Sequence, residues 1–76
     1  MNKARRANLN RIINTLQDLR DDLEVIRDEE QDAMDNTPES LQGTDRYSSM
    51  EEAVDFMSDA YDDLDDAIEN LENVMN

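Results

Sequence analysis

The fold is decided by the stretch from Met50 to Asn76, which reads MEEAVDFMSDAYDDLDDAIENLENVMN. Three columns of residues spaced seven apart run through it: Met50, Met57, Leu64 and Leu71; Ala53, Ala60, Ala67 and Val74; and Val54, Tyr61, Ile68 and Met75. The positions between them hold ten Asp and Glu residues and no Lys or Arg. A seven-residue apolar repeat is typical of a helix that packs in a left-handed supercoil. The stretch therefore predicts a helix with a narrow apolar stripe and a broad acidic back.

A second helix is predicted upstream, over about residues 3–34. Its apolar residues alternate spacings of three and four, the pattern of a helix-packing seam. The predicted seam consists of Leu9, Ile12, Leu16, Leu19, Leu23 and Ile26. Ile13 and Met34 widen the stripe at its ends. Arg20 and Arg27 flank it in the middle, where their stems are expected to cover the seam and their charges to pair with acids opposite.

A loop over about residues 35–48 is predicted between the two helices. Pro38 ends the first helix, because proline disfavours helical geometry in the residue before it. Pro38 to Leu41 is expected to form a short turn, with Leu41 tucked over the end of the hairpin. Gly43 then supplies a flexible point.

The start of the second helix is predicted from its capping residues. Ser48 and Ser49 are each followed three residues later by Glu, which matches the capping-box spacing. The helix is therefore expected to begin at Ser48 or Ser49, with Thr44 as the alternative, and to run to about Met75.

These elements predict a single all-α domain over residues 1–76, an antiparallel two-helix hairpin. The hairpin places the basic start of the chain beside Glu69 and Glu72, which are expected to offset its charge. The basic residues are Lys3, Arg5, Arg6 and Arg11. The alanine column lets a neighbouring helix approach closely, and two hairpins packed face to face would complete a four-helix bundle. A homodimer is therefore a hypothesis of the sequence.

Composition narrows the range of functions. The chain has 76 residues, a formal charge of −14, and no Cys or His. The usual catalytic bases and nucleophiles are thus missing, so we expect no enzyme and no cofactor. An acidic chain is repelled by nucleic acid and by anionic membranes, and no apolar run approaches the roughly 20 residues of a membrane span. The absence of Cys fits a reducing cytoplasm. We expect a cytoplasmic protein whose partner is a protein with a basic surface.

The acidic run from Asp62 to Asp66 invites comparison with a metal site. An EF-hand loop needs alternating oxygen ligands, a central Gly and a terminal Glu. The run has no Gly, and Leu64 at its centre belongs to the apolar stripe. Solvated carboxylates are the favoured interpretation, and we expect no metal.

The acidic surface itself is the best candidate for function. Duplex DNA carries one phosphate charge per roughly 1.7 Å of axis. A helical rod about 45 Å long with rows of carboxylates would imitate part of that field and occupy a basic groove meant for nucleic acid. The predicted partner-binding acids are Asp59, Asp62, Asp63, Asp66 and Glu69 on the second helix, and Asp21, Asp22 and Asp28 on the first. Aromatic residues often anchor interfaces, which adds Phe56, Tyr61 and Tyr47.

Two alternatives stay open. The acidic surface would serve only solubility in a structural or assembly protein that works through its seam. In a regulator, the loop from Pro38 to Ser48 would present Leu41 and Tyr47 to a partner.

The segment from Asp28 to Gln42, DEEQDAMDNTPESLQ, is followed by Arg46 and by Met50-Glu51-Glu52-Ala53. With these motifs the chain resembles small acidic helical-hairpin proteins of phages and mobile elements of gut-type Gram-positive bacteria. At Arg46-Tyr47-Ser48 it departs from the Arg-Gly-Glu usual in that group. The resemblance brings no assigned activity or site residues. It implies a phage setting, where small acidic proteins block host defence nucleases such as CRISPR effectors and restriction enzymes.

Overall fold

Two long antiparallel helices make up almost the whole molecule. The computed structural model describes residues 1–76, with α1 over Lys3–Asp35 and α2 over Asp45–Met75. The single loop between them contains a short 3-10 turn, Glu39–Leu41. The helices pack side by side in a rod of 59 × 15 × 15 Å. The predicted all-α hairpin is thus confirmed.

Side-chain caps fix where the helices begin. The Asn2 side chain accepts a hydrogen bond from the Arg5 N–H at 2.8 Å at the start of α1. At the start of α2, the Thr44 hydroxyl accepts one from the Tyr47 N–H at 3.3 Å. The Ser48 N–H already donates to the Thr44 carbonyl at 3.1 Å. The favoured start at Ser48 or Ser49 is therefore wrong and the alternative at Thr44 is right, because the first capping residue after the turn takes the role.

The loop closes with little need for special backbone geometry. The Leu41 N–H donates to the Pro38 carbonyl at 2.8 Å, which forms the predicted short turn. Leu41 does not cover the end of the hairpin, since half of its surface is exposed. Gly43 does not have a positive φ, and a Cβ at this position would meet nothing within 4 Å. The turn therefore does not depend on glycine.

The buried core is one narrow seam between the helices. Ile13, Met34, Val54 and Ile68 are the buried residues, each 4–9% exposed. The α1 side of this interhelical seam consists of Leu9, Ile13, Leu16, Arg20, Leu23, Arg27, Glu30 and Met34. The predicted seam is wrong in one column, because Ile12, Leu19 and Ile26 lie outside it and Ile13 and the two arginines lie within it.

The displaced column has a physical cause. Each apolar stripe spans three heptad columns, and a single neighbouring helix covers about two of them. On α1, Ile12, Leu19 and Ile26 remain 39–55% exposed. On α2 the corresponding outer column holds Ala53, Ala60, Ala67 and Val74, none of them buried.

These two outer columns lie along the same side of the hairpin, because equivalent positions of antiparallel helices fall on one side. We refer to Ile12, Leu19, Ile26, Ala53, Ala60, Ala67 and Val74 as the open face. The opposite side is polar, with Arg20 of α1 bonded to Asp65 of α2. Neither helix contains a segment long and apolar enough to cross a bilayer.

Candidate partner-binding surface

The back of α2 carries an uninterrupted set of carboxylates. It consists of Glu52, Asp55, Asp59, Asp62, Asp63, Asp66 and Glu69, all exposed. We call this set the acidic face. Two of its columns repeat every seven residues, as the apolar columns do, and thus point away from α1. No Lys or Arg follows Arg46 in the chain, so α2 supplies no cation beyond its first turn.

The charge density of the acidic face is close to that of one nucleic-acid strand. From Glu52 to Glu69 the helix rises about 25 Å, so its seven carboxylates are spaced roughly 4 Å apart along the axis. A strand of duplex DNA carries one phosphate charge per roughly 3.4 Å. The acidic face therefore matches a single strand over about three quarters of a helical turn of duplex DNA.

One large apolar side chain lies within the acidic face. Phe56 is 71% exposed, more than any other large apolar residue. It shares the surface of α2 with Glu52, Asp59 and Asp63, which lie three to seven residues away in sequence. An exposed aromatic ring among charges provides a partner with one apolar anchor point.

The predicted acids of α1 are in a different electrostatic state. Asp21 lies 3.3 Å from the Arg20 guanidinium, and Asp28 lies 3.2 Å from that of Arg27. Asp22 is exposed on the back of α1 without an ion pair. The structure thus divides the predicted acids between two sides of the rod, and the larger unpaired group is on α2.

Tyr61 lies in the interhelical seam rather than in the acidic face. The guanidinium carbons of Arg20 and Arg27 lie 5.9 and 5.3 Å from the centre of its ring. The Glu24 carboxylate beside its hydroxyl, together with partial desolvation, raises the pKa of Tyr61 above its ordinary value. Its half-buried position makes the ring part of the contact between the helices.

A short ion pair completes this polar centre of the seam. Arg20 donates to the Asp65 carboxylate at 2.6 Å, and this bond is the main cause of the raised pKa of Arg20. The predicted pairing with an acid opposite is confirmed for Arg20 and wrong for Arg27, whose ion pair is with Asp28 of the same helix. The heptad pattern did not predict the contacts that Asp65 and Glu24 make at the seam. Asp65 lies one helical turn after Tyr61, and Glu24 lies one turn after Arg20. This spacing could have indicated that both acids flank the seam.

A cleft of about 520 Å3 lies at the loop end of the hairpin. It is lined by Leu41, Arg46, Tyr47 and Met50 among others. The two residues predicted as a regulator's contacts therefore lie together, although Tyr47 is in the first turn of α2 rather than in the loop. Arg46 is the only cation there.

The basic start of the chain is not neutralised within the hairpin. The Arg6 guanidinium donates to the Met75 carbonyl at 3.1 Å. None of Lys3, Arg5, Arg6 and Arg11 takes part in any of the three salt bridges, so the expected pairing with Glu69 and Glu72 is absent. This leaves four cations at the open end of the rod.

The carboxylates are spread along the rod rather than gathered around one point, and no three converge as a metal site. Comparison with family models, curated proteins and solved structures finds no match to the chain. Function is therefore inferred from the surfaces of the hairpin.

Proposed function

We propose that the hairpin is a non-enzymatic protein-binding module that competes with nucleic acid for a basic surface of a bacterial protein. A defence nuclease, of the CRISPR or restriction type, is the most concrete target. The observation that carries the proposal is the acidic face, with unpaired carboxylates roughly 4 Å apart along α2. Such a row is complementary to a groove that binds one phosphate strand.

The arrangement of charges supports a role beyond solubility. A soluble small domain needs a net charge of about 2–8 in magnitude, whereas this chain carries −14. Rows of negative charges on a rigid rod create an electrostatic field that speeds association with a basic partner. Phe56 would then add an apolar contact within the bound surface.

The experiment compares how duplex DNA and simple polyanions release proteins bound to the immobilised hairpin. Bacterial lysate is applied at low salt, and bound proteins are eluted with a duplex oligonucleotide or with polyglutamate at equal charge concentration. If the hairpin competes with nucleic acid, the duplex should release its bound target at a lower concentration than polyglutamate does. Raising the salt from about 50 to 200 mM should also weaken capture, because screening shortens the reach of exposed charges to about 7 Å.

A charge variant localises the effect to α2. Replacing Asp59, Asp62, Asp63 and Asp66 by Asn removes four charges from the acidic face. At about 0.5 kcal/mol for each exposed charge contact, the loss is about 2 kcal/mol, or roughly thirty-fold in affinity.

The matched control removes four charges from the other helix, with Asp21, Asp22 and Asp28 changed to Asn and Glu29 changed to Gln. It has the same net charge, and we expect its affinity to stay close to that of the wild type. Equal losses in the two variants would mean that net charge alone drives binding, and capture insensitive to duplex DNA would reject the proposal.

A further inference from the structure

We propose that the open face binds a second copy of this chain, with the two loops at opposite ends of the assembly. The result is a four-helix bundle in which α1 packs antiparallel on α1 of the partner copy, and α2 on α2. This inference does not rest on the proposed function, because the acidic face stays on the outside of the bundle.

The exposed area points to a missing partner. A folded monomer of 8.8 kDa is expected to expose about 4,800 Å2, whereas the hairpin exposes 5603 Å2. The excess of about 800 Å2 equals what one partner buries in a standard protein interface. One side of the rod, 59 Å long and 15 Å wide, supplies an area of that size.

The shape of the open face suits a two-fold axis across the rod. Ile12, Leu19 and Ile26 are spaced evenly, so an antiparallel copy of α1 repeats the same column about Leu19. Leu19 is level with the middle of the alanine column, because the neighbouring Arg20 is bonded to Asp65. One two-fold axis at the level of Leu19 therefore passes through the middle of both the α1 column and the alanine column of α2. The alanines allow the two α2 helices to approach closely.

Charge distinguishes this arrangement from one with both loops at the same end. About the axis at Leu19, the unpaired cations Lys3, Arg5, Arg6 and Arg11 lie beside residues 27–35 of the partner's α1. That segment holds five of the acids, Asp28, Glu29, Glu30, Asp32 and Asp35. With the loops together, the loop-side half, residues 21–56, would stack on its own copy. This half contains thirteen acids and two basic residues, so like charges would face each other.

Sedimentation equilibrium tests the association. At tens of micromolar the wild type should show twice the 8.8 kDa monomer mass. Leu19→Glu places two carboxylates across the axis and should give the monomer mass with helicity retained, since Leu19 is half exposed in the hairpin. Val25→Glu, at an equally exposed position on the back of α1, should remain a dimer.

A distance measurement tests the orientation without altering the open face. Gly43→Cys introduces the only cysteine at a position with free space around it, where a spin label can be attached. Loops at opposite ends place the two labels about 60 Å apart, whereas loops together would place them within about 20 Å. A monomeric wild type, equal dissociation of the two Glu variants, or a short label distance would overturn the proposal. A monomer would also leave a foreign helix as the occupant of this face.

Discussion

The position of the interhelical seam makes a testable prediction about two valines. Val54 is 9% exposed in the seam of α2, whereas Val25 is 58% exposed on the back of α1. Both are in helix interiors, so Val→Ala brings the same gain in helix propensity at each site, and that gain cancels in the comparison. The difference in the free energy of unfolding between the two variants then reports only how deeply each valine is buried.

The magnitude follows from the two methyl groups removed. At about 0.8 kcal/mol for each buried carbon, full burial of both is worth about 1.6 kcal/mol. Val54 has about half of its surface more buried than Val25, so its two methyl groups contribute about 0.8 kcal/mol more to the free energy of unfolding. A small cavity left beside residue 54 brings the difference between the two variants to about 1 kcal/mol. In a domain this small, 1 kcal/mol lowers Tm by about 4–8 °C.

The assay is thermal and urea unfolding followed by circular dichroism at one protein concentration. Val54→Ala should melt about 4–8 °C below Val25→Ala, with the same urea m-value because the hairpin itself is unchanged. Equal melting temperatures, or a larger loss in Val25→Ala, would place the seam on a different face and refute the packing described here.

Three further predictions concern the ends and the centre of the hairpin. Thr44→Ala should cost about 1 kcal/mol of unfolding free energy through the lost N-cap, whereas Ser49→Ala, inside α2, should cost almost nothing. Asp65→Asn, which breaks the ion pair with Arg20, should lower Tm more in dilute buffer than in high salt. Tyr61 has a raised pKa in the folded state, so its contribution is complete below the ordinary tyrosine pKa, near 10, and is lost as the pH rises through the folded value. Wild-type Tm should therefore fall in that alkaline range, and Tyr61→Phe should flatten the fall.

The heptad columns were sufficient to predict the hairpin but not which face of each helix packs against the other. The apolar columns of each helix are compatible with several seams, and one neighbouring helix covers only part of them. Arg20 and Arg27 looked like flanking residues in the sequence. In the structure they occupy the seam, because the Tyr61 ring across it lies close to both guanidinium groups and Asp65 accepts a hydrogen bond from that of Arg20. Such a preference depends on both helices at once and is not visible in either alone.

The acidic residues illustrate the same division. Their exposure on α2 follows directly from the heptad pattern. The pairing of Asp21 and Asp28 with adjacent arginines depends on how those arginine side chains turn within the seam. Sequence patterning therefore located the exposed carboxylates of α2 but could not tell which acids of α1 remain uncompensated.

The narrowness of the core has a consequence for how such a protein can change over time. Only four side chains are buried, and each lies in the interhelical seam. Most single substitutions elsewhere should alter the free energy of unfolding by less than about 0.5 kcal/mol. The residues on the outer surface of α2 can therefore be substituted one by one while the hairpin stays folded. A hairpin of this kind can acquire a new binding partner through surface mutations alone, without passing through an unfolded ancestor.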